Sequence, residues 1–201
     1  EKGTTMSATD IFRLDGKVAI IPGGGGAIGS RLAGALAEFG AKVTIVGRSN
    51  ERSEVAAEKV RIAGSEALVV IGDVTTEEDA SRCVTETLEH FGRVDIIVNA
   101  IGGGAGDVLY AAHNYPQAAW DWIFELNVRS SLLPTQAAVR AMIDAGRGGR
   151  VLNISSVRGQ LGIDAGYSAY VAAKGAIDSL TRQQATEWAQ YWITVNAISP
   201  T

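Results

Sequence analysis

The sequence predicts a doubly wound α/β domain, a parallel sheet with helices on both faces in three layers (α/β/α). Three observations carry that prediction. Short apolar runs rich in Val and Ile alternate with longer stretches of helical character along the 201 residues, the rhythm of βαβ units with right-handed crossovers. The runs lack apolar/polar alternation, as expected of parallel strands buried on both faces. Glycines and polar residues follow the runs at once, so special side chains collect at the carboxyl ends of the strands, where such sheets bind ligands.

In chain order, residues 17–22 (KVAIIP) form a first strand that runs into Gly23-Gly24-Gly25-Gly26-Ala27-Ile28-Gly29. A helix follows through Phe39 and Gly40 stops it. Residues 41–46 are the second strand, ended by Gly47 and Arg48, and residues 51–63 a charged amphipathic helix closed by Gly64. Ala67–Ile71 is the third strand, leading to Gly72 and Asp73, and Glu77–Phe91 the next helix. Residues 94–99 are the fourth strand, followed by a Gly-rich loop to about Pro116. A long helix over 118–145 is interrupted by Pro134; then come a strand at 150–154, a helix at 167–191 and a sixth strand at Ile193–Ile198. One domain is expected over 12–201, with 1–11 a flexible extension or an artificial remnant.

Composition narrows the function. A hydrophobic content of 46% with 20% charged residues suits a globular core. A net charge of −4 and a pI near 5.2 give no electrostatic attraction to nucleic acid. No apolar run is long enough to span a bilayer, and the polar start has no signal-peptide core. One cysteine excludes an internal disulfide, and with two histidines it leaves too few ligands for a structural zinc site. The expectation is a soluble cytoplasmic protein that acts on a small molecule, without a metal.

Tyr170 and Lys174 stand four residues apart in an Ala-rich helix, on one face. A nearby ammonium favours a phenolate and lowers the phenol's pKa. Ser156, just past the fifth strand, can hold a carbonyl or alcohol oxygen while Tyr170 gives or takes its proton. A solvated Tyr/Lys pair is the plain alternative. The strand–glycine–helix sequence at 22–29 makes an anion site from backbone N–H groups and a helix dipole. Arg48 ends the second strand where an acid would bind the ribose of NAD; an arginine there suits the 2′-phosphate of NADP, so NADP(H) is preferred over NAD(H). Asp73 and Val74 are placed to border an adenine, although Asp73, Thr75 and Thr76 are also helix-cap candidates. Asn99, at a buried strand end, needs partners for its amide, from neighbouring strands or from a ribose. Asn127 is unfavourable inside a helix unless it has work to do. Pro134 denies a hydrogen bond to the Ser130 carbonyl. A bent helix with inward polar groups would relay protons through water to Lys174.

Together these residues resemble the short-chain dehydrogenase/reductase family from about Phe12 to Thr201. PGGGGAIG is similar to its cofactor turn, with Gly23, Ala27 and Gly29 matching; VNAIG to its fourth-strand element, through Asn99 and Gly102; VNAISP to its sixth strand. Asn127, Ser156, Tyr170 and Lys174 match its catalytic tetrad. The resemblance implies a Rossmann-type fold and reversible hydride transfer between a nicotinamide and a carbonyl/alcohol pair. In it Tyr170 is acid/base, Ser156 anchors oxygen, Lys174 binds the ribose and lowers the phenol's pKa, and Asn127 holds the relay water. It extends the cofactor set to Gly25, Gly26, Ile28, Ala100 and Pro200. Homodimers or homotetramers are implied, meeting through the helices at 118–145 and 167–191. ELNVRSSLLPTQ, SSVRGQLG and the loop 102–116 look most like members acting on sugar acids and polyols, such as gluconate 5-dehydrogenases and mannonate oxidoreductases, with Arg158 and Gln160 facing the hydroxyls. A 3-oxoacyl-carrier-protein reductase and a non-catalytic nucleotide-binding module are the alternatives.

The chain departs from the family pattern at Pro22 (usually Thr), at Ala100 and Ile101, at Gln184 on an apolar helix face, and at Trp192, where Gly normally ends the long helix. It also ends before the seventh strand and substrate loop with which family members continue.

Overall fold

The computed structural model describes residues 10–104, 106 and 108–201, so the extension expected at 1–11 lies outside the described residues up to residue 9. Six strands, β1 (Val18–Pro22), β2 (Lys42–Gly47), β3 (Ala67–Ile71), β4 (Ile96–Asn99), β5 (Gly149–Ile154) and β6 (Ile193–Ile198), make one parallel sheet in the order β3-β2-β1-β4-β5-β6. The order reverses between β1 and β4, which opens the crevice such sheets use for ligands. The helices are α1 (Ala27–Glu38), α2 (Asn50–Ile62), α3 (Glu77–Phe91), α4 (Gln117–Phe124), α5 (Ser130–Ala145) and α6 (Ser168–Trp188).

Two apolar layers sandwich the sheet. Ala19, Ile21, Val43 and Ile45 pack against Ala33 and Ala37 of α1 and Ala56 and Val60 of α2. Ile20, Ile97, Val151 and Val195 pack against Cys83 and Val84 of α3 and Ala138 and Met142 of α5. Small residues on α1 let that helix lie close to the strands, as burial of Gly29, Ser30, Ala33 and Ala37 shows. Beyond α1 and α2, the same face of the sheet is open: Arg150 of β5 and Thr194, Asn196 and Ile198 of β6 are exposed.

Local signals fix the helix ends. Ser49 caps α2 by accepting from the Arg52 amide (3.4 Å), and Thr76 caps α3 by accepting from the Asp79 amide (3.2 Å). Gly92 closes α3 in a left-handed conformation, φ 75°. The long helix expected over 118–145 differs from expectation. It divides into α4, a π-turn at Glu125–Arg129, and α5, which carries Pro134 without breaking. The break falls earlier because side chains there can serve the loosened ladder: Ser130 Oγ donates to the Leu126 carbonyl (2.6 Å) and Ser131 Oγ to the Asn127 carbonyl (3.3 Å). The helix expected at 167–191 closes with a 3₁₀ turn at Ala189–Tyr191.

Trp192 follows that turn with φ 60°, among the described residues the only non-glycine at positive φ, and is 83% exposed. Left-handed backbone costs a side-chain-bearing residue ~1–2 kcal/mol; glycine would give back ~0.4–1 kcal/mol of that through its freer unfolded chain. Since the indole buries almost nothing, Trp192→Gly is expected to stabilise the fold by about 0.5–1 kcal/mol, read as a higher midpoint in urea with an unchanged slope.

Candidate active site

The glycine turn stands at the β1/β4 switch point because nothing larger fits. A Cβ at Gly23 (φ 79°) would lie 2.7 Å from the Ala100 carbonyl, and one at Gly25 3.1 Å from the Arg52 backbone. The Ala100 amide donates to the Pro22 carbonyl (2.9 Å) and the Gly23 amide to the Val46 carbonyl (2.8 Å), so Pro22 leaves the strand ends joined.

From this turn a cleft of about 560 Å³ opens across the ends of β2 and β3 toward α4, a size usual for ligand sites. It gathers Gly23, Gly25, Gly26, Arg48, Asp73, Val74, Ala100 and Gly102 of the expected set. Ala27 and Ile28 open α1 on the exposed side, and Gly29 is buried under the turn. Arg48 is largely exposed and lies 3.8 Å from the Asp73 carboxylate. Asp73 caps no helix: its Oδ1 accepts from the Thr75 amide (3.1 Å) and hydroxyl (2.8 Å). Val74 is 1% exposed and belongs to the core as well as the cleft wall. The sequence reading missed Ser49, Arg52, Ser53, Trp122 and Glu125 on the same walls. Ser53 had one usable signal, a polar residue on the apolar face of α2; it is 1% exposed and its Oγ has no hydrogen-bond partner.

Asn99 turns away from the cleft. Its Nδ2 donates to Thr135 Oγ1 and Asn153 Oδ1, both at 2.7 Å, and Asn153 Nδ2 donates to Thr181 Oγ1 at 3.0 Å. This buried network ties β4 and β5 to α5 and α6; Thr135, Asn153 and Thr181 lie far apart in sequence, and no spacing announces them.

Of the four expected catalytic residues, Asn127 and Lys174 meet beside Gly102. Lys174 is 3% exposed, and its Nζ donates to the carbonyl of Ile154 at the end of β5 (2.9 Å). The ammonium lies 5.7 Å from the centroid of the Tyr170 ring, one turn back on α6. Burial pulls the Lys174 pKa from 10.5 down to about 8, against the opposing charge of Asp178. Tyr170 packs against Ile123, Ala169 and Ala173. Ser156 is buried past β5, and its Oγ accepts from the Arg158 amide (3.2 Å). Asn127, fully buried in the π-turn, donates from Nδ2 to the carbonyls of Ile123 and Gly103 (both 3.0 Å) and accepts from the Gly103 amide (3.2 Å). A Cβ on Gly102 would lie 3.0 Å from Lys174 Nζ and 3.1 Å from Asn127 Oδ1, so loop, helix and lysine meet at one point. Pro200, after β6, accepts the Val157 amide (3.1 Å) and steadies the turn behind Ser156. Gly102 touches both the cleft and the Lys174 corner, joining them into one site.

These residues fit a nicotinamide dinucleotide: the glycines leave a side-chain-free cradle along the cleft. Among the described residues no group of His, Cys, Asp or Glu is placed to hold a metal ion, and no helix is long and apolar enough to cross a membrane.

Known proteins share this fold. The chain is 36% identical over 190 residues to the NAD-dependent glycerol dehydrogenase of Listeria innocua, covering 94% of this chain and 72% of that one. It is 32% identical over 195 residues to gluconate 5-dehydrogenase of Gluconobacter oxydans, covering 97% and 74%. The crystal structure of NAD+-bound xylitol dehydrogenase superposes with a TM-score of 0.87 at 34% identity, over 92% of this chain and 70% of that one. A family profile described as short chain dehydrogenase matches residues 17–201; the chain therefore belongs to the short-chain dehydrogenase/reductase family, an oxidoreductase on a Rossmann-type fold.

Proposed function

We propose that the protein interconverts a secondary alcohol and a ketone on a polyol or sugar acid, with NADP(H) preferred over NAD(H). The observation that carries the reading is the buried Lys174 ammonium beside the Tyr170 ring, at the corner where Gly102 joins the cleft. The bound nicotinamide supplies or accepts the hydride. Ser156 holds the substrate oxygen and Tyr170 exchanges its proton. Lys174, charged below a pH of about 8, favours the phenolate through its field. Asn127 fixes the 102–104 loop and orders the water that relays protons to Lys174.

Glycerol, gluconate and xylitol in the names of the three relatives support a polyhydroxylated substrate. Arg158 and Gln160, on the turn after Ser156, are its proposed hydroxyl partners. Two of those relatives are named with NAD, so the preference for NADP rests on this chain's own cleft. Arg48 and Arg52 stand in the cleft near the end of β2, which carries no acid of its own; the neighbouring carboxylate, Asp73 past β3, lies 3.8 Å from Arg48 and would be displaced from it by a 2′-phosphate. The glycine turn with Ala27, Ile28 and Gly29 at the start of α1 is proposed to hold the pyrophosphate, and Asp73, Val74 and Ala100 to border the adenosine. Asn99 and Pro200 support the site through the backbone and side chains they hold. We further propose a cytoplasmic homodimer or homotetramer.

Tyr170→Phe is expected to cut turnover of a polyol panel by at least ~10²-fold, the usual worth of a positioned acid/base, with NADPH affinity unchanged by calorimetry; normal rates would refute the assignment. Arg48→Asp should shift the ratio of kcat/KM values toward NAD by roughly tenfold, about the worth of one charge-assisted contact; an unchanged ratio would remove the phosphate role. Lys174 makes a prediction of opposite sign for stability and activity. Between pH 8 and 10.5 the unfolded chain binds more protons at this site than the folded one, so its burial cost falls as pH rises. Lys174→Met should therefore abolish turnover yet raise stability at pH 7 by on the order of 1 kcal/mol, and the gain should vanish toward pH 10.5. Equal stabilities at pH 7 would contradict the burial cost.

A further inference from the structure

Resting on the dinucleotide reading of the cleft, we infer that Trp122 is the stacking platform for the adenosine half of the bound cofactor. Trp120 and Trp122 lie two residues apart on α4 and have opposite surroundings. Trp120 is spent on packing, stacked on Phe124 at 5.1 Å and edge-on to Tyr115 at 6.1 Å. Trp122 is 46% exposed, has no aromatic partner among the described residues, and lines the cleft. Its position is fixed from behind: a Cβ on Gly104 (φ 96°) would lie 3.3 Å from Trp122 Cζ3 and collide with Ile123, so the loop backbone leans directly on α4. Past α4, Arg129 Nε donates to the Thr75 carbonyl (2.8 Å), which holds this helical segment to the loop carrying Asp73 and Val74.

With Trp122, Val74, Ile101 and Leu126 give the cleft its apolar lining, while Arg48, Arg52, Asp73 and Glu125 give it its charged lining. A purine needs those two surroundings: faces against apolar or aromatic surface, and cationic groups near its phosphates. The glycine turn takes the pyrophosphate, and the Lys174 corner takes the nicotinamide end, which leaves the base for the stretch of cleft that Trp122 overlooks. An indole supplies a large, stiff surface there at small entropic cost.

The test is calorimetric titration of the whole protein with ADP-ribose, and separately with nicotinamide mononucleotide, for wild type, Trp122→Phe and Trp122→Ala. Loss of one base–aromatic stack should weaken ADP-ribose binding about tenfold in Trp122→Ala, with Trp122→Phe within about twofold of wild type and nicotinamide mononucleotide binding unchanged in both. ADP-ribose should also quench wild-type tryptophan emission; Trp122→Phe should lose that quench while still binding, and Trp192→Phe should keep it. The emission readout does not depend on the alanine variant folding. Wild type that fails to bind ADP-ribose overturns the dinucleotide reading and the inference together. Normal ADP-ribose affinity in Trp122→Ala, or a retained quench in Trp122→Phe, overturns the role of Trp122 alone. Weakened mononucleotide binding with intact ADP-ribose binding assigns Trp122 to the other half of the cofactor and overturns the inference as stated.

Discussion

The arrangement depends on one costly interaction, an ammonium held 3% exposed against the carbonyl of Ile154. Holding a lysine whose pKa falls from 10.5 to about 8 costs on the order of 3 kcal/mol at neutral pH, a sizeable part of the net stability of an ordinary domain. A fold selected only for stability would place a Met or Leu there. The surrounding residues keep the ammonium where it is. The carbonyl of Ile154, at the end of β5, accepts from Nζ, Asp178 one turn on supplies an opposing charge, and Gly102 has no side chain, so the loop can pass within contact distance.

That corner is stiff because its three supports are joined beneath it. The Asn99–Asn153–Thr181 chain of hydrogen bonds, with Thr135 at its side, crosses from β4 and β5 to α5 and α6 under the strand ends. Buried amides cost little when paired and much when not; here the Asn99 and Asn153 amide donors are paired, which favours one register of sheet against helices, while Asn99 Oδ1 is buried without a partner. Asn127 acts similarly on the loop side. The π-turn widens the helix by one residue and frees backbone groups, and the Asn127 amide bonds both the Ile123 carbonyl and the Gly103 backbone. The position of the 102–104 loop thus follows from the irregularity in the helix.

The fold was legible because its signals are local. Continuous Val/Ile runs, the glycine that ends α3 and the helical Tyr170–Lys174 spacing each speak from a few neighbouring residues, and the observed elements follow them closely. What stayed hidden is non-local or ambiguous at short range. Val74 reads equally as cleft wall and core, and is both. Asp73 read as a cap candidate, but Thr76 takes α3 and Asp73 binds its own turn. Pro134 drew the expected kink toward itself; the π-turn formed a turn earlier because Ser130, Ser131 and Asn127 were there to satisfy its carbonyls. Ser53 and Trp122 reach the cleft only through the packing of α2 and α4, which no spacing encodes.

Local costs in this chain therefore divide by place. The buried ammonium, the unpaired Ser53 hydroxyl, the π-turn and the crowded Gly23, Gly24 and Gly29 sit at the carboxyl ends of the strands, beside the ligand cleft. Crowded Gly40 and Gly149 lie instead at the amino ends, and so does the left-handed Trp192. It lies at the opposite end of the sheet, before β6 and against Gly148, and its carbonyl takes the Gly149 amide at 3.3 Å. That hydrogen bond needs only the backbone, so the turn explains the conformation but not the indole. The site holds its own strain for chemistry, and the strain at Trp192 is separable from it.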